Sequence, residues 1–127
     1  MIYKGTLLNV VDNSGARKAS CIHICGGFRK KFAQIGDIII VSIKSLRSKR
    51  RKTTKVKKGD VVHALVVRSK IGQTKFSNER ISYFENAIVL LTSQKKTIAN
   101  RIFGSILKTF RNTKFLRIAS LGSGVSR

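Results

Sequence analysis

Ile38-Ile39-Ile40-Val41, opened by Gly36-Asp37 and carried through Ser42 to Ile43, is β-branched at four consecutive positions. Branched side chains lose rotamer freedom in a helix and fit a pleated surface, so the stretch reads as a strand. It is apolar on both pleat faces, whereas a strand with one wet side alternates apolar and polar, so this one belongs to a closed or heavily covered sheet. Leu65-Val66-Val67 has the same character. Working outward, β-branched runs broken by Gly, Asn and Asp fall at Thr6 to Val11, Arg17 to Cys25, Asp37 to Lys44, Val61 to Arg68, Arg80 to Phe84, and Ala87 to Leu91. That rhythm predicts an all-β chain, and the double-faced runs predict a small barrel.

Asp12-Asn13-Ser14-Gly15 reads as a turn, with Asp and Asn bonding the backbone and Gly free to take positive φ. Gly26-Gly27 and Gly36-Asp37 bracket a second connection. From about Asn100 the period changes: Ile102, Phe103, Ile106, Leu107 and Phe110 recur at spacings of three and four, with Asn100 as candidate N-cap. Two short helices are predicted within about 100–121, the second from about Thr113 to Ser120. Their apolar faces would cover one end of the barrel, with Arg101, Lys108, Arg111, Lys114 and Arg117 outward. The tail 122–127 reads as frayed. One domain over 1–127 follows, with the barrel at about 1–95.

Charge narrows the function. The 127 residues carry 27 Lys and Arg against 5 Asp and Glu, a formal charge of +22, with a pI near 11.3. On a folded surface that scaling puts at roughly 6,700 Å², such a density repels itself, and a polyanion is the natural partner. Nucleic acid leads, because phosphates neutralise the cations while condensed counterions are released. A membrane partner would need an amphipathic basic helix or a lipidation site, and neither is present. No apolar run approaches the roughly 20 residues of a spanning helix. Strand-like sequence begins almost at Met1, so no signal or transit peptide is expected, and two cysteines suggest a reducing compartment.

Arg47-Ser48-Lys49-Arg50-Arg51-Lys52-Thr53-Thr54-Lys55-Val56-Lys57-Lys58 holds eight cations in twelve residues and no acid. Most charge runs are solvated loops. This one is tethered between two strands, which keeps its charges at close quarters until phosphates arrive. Arg29-Lys30-Lys31 forms a smaller cluster flanked by Phe28 and Phe32. Those rings could stack on bases, but packing of at least one beneath the turn is the stronger reading.

Other constellations resemble chemistry without supporting it. On a strand, Cys21, His23 and Cys25 would share one face, yet the cysteine Cα atoms would stand roughly 13 Å apart, too far for two thiolates on one zinc. The five acids, Asp12, Asp37, Asp60, Glu79 and Glu85, each lie beside Gly or Asn at a predicted edge or turn, which serves backbone geometry rather than a catalytic cleft. His63, alone in a strand, reads as structural. No Walker loop, dinucleotide fingerprint, RNP pattern or GXXG is complete, so no catalytic residue, metal, cofactor or small-molecule substrate is expected.

Leu8-Asn9-Val10-Val11-Asp12-Asn13-Ser14-Gly15-Ala16-Arg17, Gly36-Asp37-Ile38-Ile39, Val56-Lys57-Lys58-Gly59-Asp60-Val61, Ala64-Leu65-Val66-Val67-Arg68 and Arg101-Ile102-Phe103-Gly104 together resemble the bacterial-type large-subunit ribosomal protein numbered fourteen. The likeness runs in order from Met1 to about Leu121. It implies a five-stranded barrel with a projecting ribbon and two short C-terminal helices, binding to large-subunit rRNA, neighbours among large-subunit proteins, and a bridge to small-subunit rRNA. An assembly or silencing factor is a further candidate partner. There are departures: Ser77-Asn78 replaces a usual Asp-Gly, Ser105 a usual Pro, the basic loop is longer, and the ending lacks Ala-Pro-Glu.

The expected rRNA contacts are Arg17, Lys18, Arg29, Lys30, Lys31, Lys44, Arg47, Lys49, Arg50, Arg51, Lys52, Lys55, Lys57 and Lys58, and the expected bridge residues are Arg101, Lys108, Arg111 and Lys114. Absence of proline and abundance of Lys, Ile, Phe and Asn suggest an AT-rich genome and an organelle-encoded copy in the mitochondrial matrix, with a plastid or bacterial cytoplasm as alternative. Two other readings compete. A free OB-like single-strand binder or RNA chaperone predicts aromatics aligned on one sheet face. A cationic RNA-processing enzyme needs a general base.

Overall fold

The computed structural model describes residues 2–27, 29–47, 55–71, 73–74, 80–107, 118 and 122–126. Its strands, in chain order, are β1 (Ile2–Tyr3), β2 (Leu7–Val10), β3 (Ala16–Ile24), β4 (Phe32–Ala33), β5 (Ile38–Leu46), β6 (Val61–Arg68), β7 (Gln73–Thr74), β8 (Arg80–Ile81), β9 (Ala87–Leu91), β10 (Ile102–Leu107) and β11 (Gly122–Ser126). β2, β3, β5, β6 and β9 close into a five-stranded barrel. Neighbours pair antiparallel except at the seam, where β2 and β9 run parallel through Asn9↔Ala87 and Val10↔Ile88. β1 pairs with β4, β7 with β8, and β10 with β11.

The apolar runs behave as their doubled faces require. Along β5, Ile39, Val41 and Ile43 are buried and join Leu8, Val10, Ala19, Ala64, Val66, Ile88 and Leu90 in the barrel core, a cluster fed by all five strands. β9 is buried at every position and β6 from Ala64 onward. Their other faces, Leu65, Val67, Ala87, Val89 and Leu91, join Ile102 and Ile106 of β10 in a second cluster. The barrel is thus closed throughout and covered on one flank.

That cover is a strand where helix was expected. Residues 102–107 form β10, paired in parallel with Gly122–Ser126, so the described part of the first expected helix is strand and 122–126 is not frayed, while 108–111 and 127 lie outside the described residues. The spacing of Ile102 and Ile106 fits one face of a helix, but an interval of four also fits one face of a strand. Branched side chains and a helix-weakening glycine decide for the strand. Gly104 sits at φ +85 within a bulge between Ile102 and Ser105. The second predicted helix, 113–120, lies outside the described residues apart from Ile118, which is buried. So do residues 48–54 of the basic loop, on which the expected projecting ribbon falls, and Ser77-Asn78. Of the predicted strand Arg80 to Phe84, only Arg80–Ile81 pairs, and Phe84 is fully exposed.

Candidate nucleic-acid interface

Asp12-Asn13-Ser14-Gly15 is the joint that assembles the basic residues. The Asp12 carboxylate is buried and accepts from Ser14 N at 3.1 Å, from the Ser14 hydroxyl, and from Leu90 N at 3.0 Å on β9. Gly15, at φ +100, completes the turn without steric strain. The turn's carbonyls then take both ends of the basic loop: Arg47 N donates to Gly15 O at 2.9 Å and Lys55 N to Ser14 O at 3.0 Å. On its other side Asn13 Oδ1 accepts from Asn100 N and Arg101 N at 3.2 and 3.3 Å, while Asn13 Nδ2 donates to Asn100 Oδ1 at 2.7 Å. Asn100 is therefore a partner of the turn rather than a helix cap. Burial pushes the Asp12 carboxyl above its ordinary value of 3.8, outweighing the hydrogen bonds from Ser14 and Leu90 and the charge of Arg47.

Arg17, Arg47 and Arg101 gather around this joint. Arg47 and Arg101 both lie over the Phe103 ring, at 5.4 and 5.6 Å from its centroid. Between them and β2 opens a cavity of about 500 Å³ lined by Asn9, Val10, Val11, Arg17, Arg47, Arg68, Glu85, Phe103 and Gly104. Arg68 closes its floor, donating from Nε to Ser105 O at 3.1 Å, from Nη2 to Phe103 O, and pairing through Nη1 with Glu85. Gly104 suits this position through its φ of +85, which L side chains rarely adopt, and a Cβ there would also push the Arg68 guanidinium aside. Sequence reading missed Arg68 and Phe103: both stand in apolar blocks, and only the fold turns them toward the cavity.

The other expected contacts are distributed. Arg29, Lys30 and Lys31 line a second cavity of about 420 Å³ with Phe32, Gln34 and Asp37. It follows the Ile24 end of β3, the opposite end from Ala16 and the first turn. Lys30 is committed to Asp37 at 2.8 Å. Phe32 is half-buried with its ring 6.2 Å from that of the exposed Tyr3, and Phe28 is outside the described residues. Lys18 is half-buried on β3; Lys44, Lys57 and Lys58 are exposed. Lys55 donates to Ile98 O at 3.3 Å. Lys49, Arg50, Arg51, Lys52, Lys108, Arg111 and Lys114 lie outside the described residues.

The described acids are otherwise engaged, and Glu79 lies outside the described residues. Asp37 accepts from Gln34 N at 2.8 Å and Asp60 from Lys57 N at 2.9 Å, both closing turns. Glu85 takes Asn9 Nδ2 at 2.9 Å as well as Arg68. Among the described residues only Lys30–Asp37 and Arg68–Glu85 form ion pairs, so most of the positive charge is uncompensated. One sequence expectation about β3 fails: a bulge between Cys21 and His23 breaks the alternation. Cys21 and Ile24 turn inward while Ile22 and His23 are exposed, so the cysteines and His23 do not share a face. The Cys21 thiol is pushed up by burial, then by Cys25 nearby, as befits a small core hydrophobe. The five barrel strands carry no Phe, Tyr or Trp, which removes the aligned stacking surface that a free single-strand binder needs.

A family model described as Ribosomal protein L14p/L23e matches residues 1–126.

Proposed function

The chain belongs to the ribosomal protein L14p/L23e family, structural proteins of the large ribosomal subunit, and from that premise we propose that it binds large-subunit rRNA directly and without catalysis. The observation that carries this reading is the joining of Arg17, Arg47, Arg101 and both ends of the basic loop on one turn, with no acid free to neutralise them among the described residues. Such contacts go mainly to phosphates and sugars, reading RNA shape. The barrel holds the cations at fixed spacing, and an RNA backbone relieves their repulsion more fully than dilute salt does.

The finer assignments are part of the same proposal. Arg101, with Lys108, Arg111 and Lys114, contributes to a bridge with small-subunit rRNA. Neighbouring large-subunit proteins, and an assembly or silencing factor, are its protein partners. The proline-free composition, rich in Lys, Ile, Phe and Asn, supports a mitochondrial ribosome, with plastid and bacterial cytoplasm as the alternatives to be separated by fractionation.

Sedimentation of the tagged protein from gently lysed cells tests the reading: it should travel with the large subunit through a high-salt wash, and recovery only in the slow soluble pool would refute it. Replacing Lys49, Arg50, Arg51 and Lys52 together by Ala should weaken subunit association and flatten its salt dependence. Unchanged assembly at every salt concentration would count against the loop.

A further inference from the structure

The cavity beside the first turn is electrically lopsided. Its Arg68 and Glu85 neutralise each other, with the Arg68 donors used on Ser105, Glu85 and Phe103 and the second Glu85 oxygen held by Asn9. Arg17 and Arg47 have no acid partner among the described residues. Arg47 donates from Nη2 to Val10 O at 3.3 Å, while its Nε is buried with no hydrogen-bond partner. Buried N–H groups without an acceptor are rare and costly. The lining therefore holds one neutralised pair, Arg68 and Glu85, beside two guanidiniums without an acid partner among the described residues.

Resting on the rRNA-binding reading, we propose that this cavity seats one sugar–phosphate unit of RNA, with the phosphate between Arg17 and Arg47 and the ribose against the half-buried Phe103 ring. A phosphate supplies the counter-charge that Arg17 and Arg47 lack, and planar guanidiniums suit phosphate oxygens. The volume, about 500 Å³, is several times that of a phosphate, so it admits the attached sugar rather than a lone ion. Arg101, over the Phe103 ring, adds positive charge at the rim. Glu85 also lines the cavity, but its ion pair with Arg68 leaves it little repulsion to exert on the ligand.

The test uses the purified full chain and a transcript of the large-subunit rRNA from its own source. Arg17→Gln changes an exposed strand residue and leaves the fold intact; Arg47→Gln and the double variant follow, with Arg47→Lys keeping charge without the fork. Lys96→Gln, exposed and outside the cavity, is the control. The double variant should bind about tenfold more weakly at near-physiological salt, with a shallower salt slope by about 0.7 to 0.9 per lost phosphate contact. Lys96→Gln should change affinity less than about twofold. A wild-type chain that fails to bind the transcript overturns both this assignment and the rRNA reading. A wild type that binds, with a double variant no weaker than Lys96→Gln, overturns the cavity alone. Arginine side-chain NMR signals, followed with inorganic phosphate and with polyglutamate, separate the sources: tight saturation by free phosphate, or displacement of the transcript by polyglutamate through Arg17 and Arg47, would replace the RNA assignment.

Discussion

Asp12 concentrates the tension between burial and charge in a single side chain. Its carboxylate takes three donors from Ser14 and Leu90, so Asp12→Ala strands buried donors and should cost on the order of 3 kcal/mol, read from urea unfolding midpoints. Its raised pKa also sets a pH dependence. The folded state holds this proton more tightly than the unfolded one, so Asp12's contribution is largest below 3.8 and falls as pH rises through the raised value. Wild type minus Asp12→Asn stability should decline over that window; a flat difference would contradict the burial argument. Arg68 presents the opposite case, a buried guanidinium whose charge is met by Glu85. Glu85→Ala should destabilise by about 2 to 3 kcal/mol, less than a fully buried pair, because 37% of the Glu85 side chain stays in solvent. Thermal unfolding of the variant checks it.

β10 is the element whose removal should be felt beyond itself, because Ile102 and Ile106 cover the outer faces of β6 and β9. Ile106→Ala should cost about 2 to 4 kcal/mol. Deletion of residues 122–127 strips β10 of its parallel partner, and amide exchange should quicken along Ile102–Leu107 while β5 and β6 stay protected. Equal loss of protection throughout would show the two sheets to be one cooperative unit. These elements also mark how far sequence reaches. Val61–Arg68 and Ala87–Leu91 were legible to the residue, because branched runs bounded by turn formers leave one reading. β10 was not, since Ile102 and Ile106 satisfy both periods and its partner lies at the far end of the chain. At the candidate site, Arg17, Arg47 and Arg101 were legible as unpaired charge. The anchoring of Arg47 on Gly15 and of Arg101 on Asn13 was not, because bonds between segments roughly 30 to 90 residues apart leave no trace in composition.

At the scale of the whole molecule, a charge of +22 held by a closed barrel makes the isolated protein dependent on screening. Its melting temperature should rise with ionic strength and rise further with short RNA, followed by circular dichroism; a fall on adding salt would mean that the few ion pairs outweigh the repulsion. The same distribution explains why Lys30–Asp37 and Arg68–Glu85 contribute locally while leaving the surface cationic. The parallel seam between β2 and β9 brings a last consequence, one of timing. During translation Leu7–Val10 leaves the ribosome early, yet its second hydrogen-bonding neighbour is not made until Ala87–Leu91 emerges. For most of synthesis the nascent chain cannot shut its own core, and cations and greasy strands wait together in the open. A chain built this way finishes folding late, and until the seam shuts its exposed strands carry the aggregation hazard of any slow long-range pairing.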